Sequence, residues 1–87
     1  MVSCLRTTLV KLYEYVAILE TLANHGPINP AQMVSLVSID HDKLMLALSF
    51  LQNQGFLLLE TSDGIVFPQY SITKRGLRIL DFFSYHK

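Results

Sequence analysis

Through the first third of the chain, apolar residues fall on one stripe of a helix. Leu9, Leu12, Tyr13, Val16, Leu19, Leu22 and Ala23 share a face over residues 8–25. Val10 and Ile18 lie off that stripe, so burial on more than one side is expected. "NHGP" ends the helix, because Gly26 suits a left-handed cap and Pro27 cannot continue the ladder. A short helix follows over 30–37, with Asn29 as its cap, Pro30 in its first turn, and Ala31, Val34 and Val37 turned inward. "SIDHD" supplies a turn in which Ser38 or Asp40 can cap a third helix over 40–54. Leu44, Ala47, Leu48 and Leu51 form the inward stripe of that helix, and Gly55 stops it.

The period then changes. Phe56 to Glu60 and Ile65 to Ile72 are β-prone runs on either side of "TSDG", and Asp63-Gly64 is a tight-turn pair, so a hairpin is expected over 56–72. Pro68 cannot donate to a ladder and marks an edge or a bulge. Thr73 is placed to cap a last helix over 74–86. Leu77, Leu80 and Phe83 share one of its faces, and Ile79, Phe82 and His86 share a second. The order is helix, short helix, turn, helix, hairpin, helix. A short helix joined to a longer one by a few residues is helix-turn-helix geometry, and a hairpin directly after it is a wing. The expected class is α+β, mostly helical, in one winged helix-turn-helix domain over 1–87.

"ILETLANHGPINPAQMVSLVSIDHDKLMLALSFLQNQGFLLLE" and "YSITKRGLRILDFF" together resemble the winged helix-turn-helix regulators common in archaea. Leu48, Phe50, Leu51, Gly55 and Phe56 match the line that ends the recognition helix. Tyr70, Ile72, Thr73, Gly76, Leu77 and Leu80 match the closing signature. The likeness covers about Ile18 to Phe83. It implies a DNA-binding transcriptional regulator whose third helix enters a major groove of double-stranded DNA. It also implies a homodimer paired through the last helix. Winged helices serve as protein-binding modules too, so a module that binds another protein without touching DNA is the competing expectation.

Charge sharpens the list of contact residues. Seven Lys and Arg balance seven Asp and Glu, which excludes a strongly basic coat protein. The balance is uneven, because residues 73–87 hold four basic residues and one acid. Lys74, Arg75 and Arg78, at the start of the last helix, are candidates for phosphate contact. Helix-dipole logic disfavours cations there, which points to a functional reason for them. On the third helix, Lys43, Ser49 and Gln52 are candidates for base-edge contact, with His41 or Asp42, Met45 and Asn53 on the same outer face. On the last helix, Ile79, Phe82, Phe83 and Tyr85 exceed what one stripe requires and are the candidates for dimerisation.

The remaining features narrow the class further. Half of the residues are hydrophobic, enough to offset the entropy of ordering the chain. Apolar runs such as "LMLAL" and "FLLL" are far shorter than a membrane span, and Arg6, Thr7, Thr8 and Lys11 interrupt any signal-peptide core. A single cysteine, Cys4, permits no internal disulfide, and a reducing, cytoplasmic setting is expected. His25, His41 and His86 are scattered and lack metal-ligand spacing, so neither a metal nor another cofactor is expected. Ser, His and Asp in "SIDHD" are capping residues of a turn. With no nucleophile-base-orienter set, catalysis is not expected.

Overall fold

The computed structural model describes residues 10–61 and 68–85, with side chains to residue 83. Cys4, Thr8, Leu9, the Asp63-Gly64 turn, Ile65, His86 and the Tyr85 side chain, all named above, lie outside the described part. Among the described residues there are four helices and one two-stranded antiparallel sheet. In chain order they are α1 (Leu12–His25), α2 (Pro30–Val37), α3 (His41–Asn53), β1 (Leu57–Glu60), β2 (Gln69–Ile72) and α4 (Lys74–Tyr85). This is an α+β, mostly helical winged helix-turn-helix.

Local chemistry sets each boundary. Lys11 precedes α1, and its backbone N–H donates to Glu14 Oε1 at 2.9 Å, satisfying one of the free donors of the first turn. Gly26 ends α1 with φ +80° and ψ −162°. That is an extended conformation open essentially to glycine alone, rather than the left-handed cap expected from sequence. Two residues on, Ile28 reaches the wing. There Ile28 and Tyr70 exchange two backbone hydrogen bonds, at 3.2 and 2.9 Å. A capping box starts α2: Asn29 Oδ1 accepts from Gln32 N–H at 2.9 Å, and Gln32 Oε1 accepts from Asn29 N–H at 3.0 Å. Ser38 closes α2 with φ +60°, ψ +54° and is its C-terminal cap, not the start of the next helix. Asp40 is the residue before α3, and its carbonyl accepts from Leu44 N–H at 2.8 Å.

The core is a single cluster. Ile18, Leu19 and Leu22 of α1 meet Met33 of α2 and Leu44, Ala47, Leu48 and Leu51 of α3, closed by Ile28, Ile39, Leu57, Tyr70 and Leu80. Full burial of each of the larger aliphatic side chains contributes roughly 1.5–3 kcal/mol. The α3 stripe is as expected. Two other faces differ from the sequence expectation. Ile18 is fully buried, while Leu12 and Tyr13 stay 59% and 67% exposed. The off-stripe Ile18 thus fills the centre, while Leu12 borders a groove with Val16, Ile79 and Phe83. In α2, Met33 is fully buried and Ala31 exposed, with Val34 and Val37 half-buried against the core.

The wing pairs Leu57 with Ile72, Leu58 with Ser71, Leu59 with Tyr70 and Glu60 with Gln69. Leu57 and Tyr70 face the core, whereas Leu58 points outward. A Schellman pair of bonds, Phe56 N–H to Leu51 O at 2.9 Å and Gly55 N–H to Gln52 O at 3.0 Å, joins α3 to β1 with Gly55 at φ +84°.

Candidate nucleic-acid interface

Helix α3 has a defined outer face. Its buried stripe, Leu44, Ala47, Leu48 and Leu51, fixes the opposite side at Asp42, Leu46, Ser49 and Asn53, which recur at four, three and four residues. All four are exposed, Leu46 by 47%. One flank carries Lys43 and Phe50 toward α1, where Phe50 lies 5.2 Å from the Tyr15 ring. The other flank carries Met45 and Gln52. Met45 borders an apolar hollow of about 380 Å³ with Pro30, Ala31, Leu59, Pro68 and Tyr70.

The sequence candidates divide on this geometry. Ser49 and Gln52 are exposed on α3. Lys43 is only part-exposed, and its Nζ lies 3.4 Å from Glu14 Oε2. The bond from Lys11 N–H and the Lys43 charge hold the Glu14 carboxyl below its ordinary range, against the opposing effect of burial. Glu14 thus ties the cation of α3 to α1 and removes it from the outer face.

Lys74, Arg75 and Arg78 are exposed at the start of α4, and among the described residues none of them forms an ion pair. Arg75 sits with its guanidinium carbon 5.5 Å from the centre of the Phe56 ring. Its Cδ approaches to 3.5 Å from where a Cβ on Gly55 would stand. The structure therefore brings Arg75 to the C-terminal end of α3. A cation–π contact of this kind leaves guanidinium N–H groups able to bond a phosphate.

One side chain builds this junction. Thr73 Oγ1 donates to the Gly55 carbonyl at 2.7 Å and accepts from Gly76 N–H at 3.1 Å, while Thr73 N–H donates to the Phe56 carbonyl at 3.0 Å. Gly76 lies against the same carbonyl: a Cβ there would overlap Phe56 O and come within 2.7 Å of Ile72 Cγ1. The last helix is thereby clamped to the end of α3.

Of the dimerisation candidates, Ile79 and Phe83 line an apolar groove of about 200 Å³ with Leu12, Val16 and Phe50, and Phe82 is 54% exposed beside it. Sequence reasoning missed the α1 side of this surface, Leu12 and Tyr13, by assigning both to the core. It also missed Leu46 on the outer face of α3. The signal was present, since Leu46 stands two residues from both Leu44 and Leu48 and so falls opposite them on a helix. Among the described residues no group of His, Cys, Asp and Glu could hold a metal ion, and no helix is long and apolar enough to cross a membrane.

The fold and this exposed helix define a winged-helix domain. No protein-family model and no curated protein matches the chain. Solved structures do match in fold. RV1404 from Mycobacterium tuberculosis aligns with a TM-score of 0.79 at 20% identity, over 88% of this chain and 52% of that one. ZitR from Lactococcus lactis, a zinc-responsive MarR family member, aligns at 0.75 and 22%, over 88% and 54%. NMB1585 from Neisseria meningitidis, a MarR family regulator, aligns at 0.72 and 19%, over 85% and 53%. ZitR has also been solved in complex with DNA, and that structure matches at 0.73 and 22%, over 88% and 53%. The chain spans about half the length of the solved chains it matches. These likenesses show the fold, and the archaeal character of the sequence resemblance finds no counterpart among the three organisms.

Proposed function

We propose that the protein is a winged-helix DNA-binding transcriptional regulator that acts as a cytoplasmic homodimer, with double-stranded DNA as its partner. The observation that carries this reading is the exposed outer face of α3 with Arg75 held at its end, on a fold that ZitR uses in a DNA complex. In this arrangement α3 lies in the major groove. Lys74, Arg75 and Arg78 bond phosphates, Ser49 and Gln52 meet base edges, and Lys43 acts structurally through Glu14. The homodimer reading is supported by exposed Leu12, Tyr13 and Phe82 around the groove of Ile79 and Phe83, since a closed two-fold pair would cover that apolar surface. The Tyr85 contribution is proposed from its place on the same helix.

A gel-shift titration on genomic fragments at two salt concentrations tests the function. Retarded bands at low salt that weaken at higher salt support it. Absence of retardation at low salt overturns it and leaves the protein-binding module as the reading.

A further inference from the structure

The chemistry of the α3 outer face selects a class of DNA sequence. This step rests on the reading of α3 as a major-groove helix. The strongest guanine readers are Arg and Lys, which bond its O6 and N7. On α3 the one such residue, Lys43, is bound to Glu14 at 3.4 Å and turned to the α1 flank. Arg75 lies past the end of the helix with its guanidinium on Phe56. On the outer face Leu46, Ser49 and Asn53 are exposed, with Asp42 one turn before Leu46; His41, Met45, Phe50 and Gln52 are exposed to either side of it. Asn and Gln side chains bond adenine N6 and N7 in pairs, and an apolar side chain in the groove favours the thymine methyl. Ser bonds several bases and discriminates little. Asp42, its Oδ1 3.8 Å from His41 Nδ1, stands a turn before Leu46, and its exposed carboxylate is repelled by the backbone phosphates.

We infer that α3 reads an A·T-rich half-site, with Leu46 on a thymine methyl and Asn53, aided by Gln52, on an adenine. Leu46 to Asn53 spans about 10 Å of helix, the length of roughly three base-pair steps. The selected A·T pairs therefore lie within one short run. Leu46 and Asn53 are specificity-determining residues that neither the charge pattern nor the phosphate-contact candidates mark.

Selection of bound duplexes from a random-sequence library at low salt, followed by sequencing, tests this directly. The expected result is enrichment of a short A·T run in each half-site. A guanine-centred motif, or binding without sequence preference, overturns the inference while leaving DNA binding intact. Failure to capture any duplex overturns both the inference and the function it rests on. Two surface variants refine the test, each checked for unchanged circular dichroism. Asn53→Ala is expected to lose about tenfold of its preference for adenine at one position, and Leu46→Arg to shift one position toward guanine. Unchanged preferences in both variants contradict the assignment.

Discussion

At the scale of single residues, the α3–α4 junction rests on Thr73 and Gly76. Thr73→Val removes both the cap on Gly76 N–H and the bond to the Gly55 carbonyl. The expected loss is about 1–2 kcal/mol, read from the denaturation midpoint, with Thr73→Ser retaining most of the stability. Gly76→Ala sets two effects against each other. Alanine favours a helix by about 1 kcal/mol over glycine, but its Cβ would strike the Phe56 backbone, which cannot rotate away. Overpacking against fixed atoms costs about 1–3 kcal/mol, so a net destabilisation is expected. Glu14 adds a pH dependence. Its carboxyl has a lower affinity for protons in the folded state, so its contribution is fully present above its ordinary value of 4.5 and is lost as pH falls through the lower folded value. Glu14→Gln should lack this part of the acid-side decline. Measuring stability against pH for both chains checks the sign.

At the scale of elements, much of the fold was legible in the sequence. Leu44, Ala47, Leu48 and Leu51 marked the buried side of α3 because they recur at three and four residues, with Asp42, Ser49 and Asn53 opposite them. Thr73 marked the start of α4 because a helix cap is local chemistry, whereas the contact of Gly76 with the Phe56 backbone spans 20 residues and leaves no local trace. The inward face of α1 was not legible, because Leu12 and Tyr13 are as apolar as Ile18, and periodicity cannot say which of two apolar sides meets the core. Ile28 pairs with Tyr70 as a single residue, too short to show a period. The same limit applies to the candidate site. Lys43 looked available because its partner Glu14 lies 29 residues away and leaves no local trace. Lys43→Gln is therefore expected to lower stability by up to about 1 kcal/mol and to leave the salt dependence of DNA binding unchanged. Replacing Lys74 and Arg78 together by Ala should reduce the slope of log affinity against log salt by about two for each chain.

At the scale of the whole molecule, the few cations of a neutral chain bind phosphates more strongly when two copies act at once. The apolar surface around Leu12, Tyr13, Phe82 and Phe83 is where the second copy would seat. Phe82→Glu places a charge on that surface and is expected to yield monomers in analytical ultracentrifugation, where the unaltered protein is expected to sediment as a dimer at micromolar concentration. The monomer should also bind DNA more weakly, having half the phosphate contacts. The measurement that bears most directly on the central claim is the anisotropy of a labelled duplex titrated with the unaltered protein across a series of salt concentrations. With Lys74, Arg75 and Arg78 from two chains on the phosphates, log affinity should fall with a slope of about −5 in log salt. Absence of binding at the lowest salt, or an affinity indifferent to salt, would contradict it.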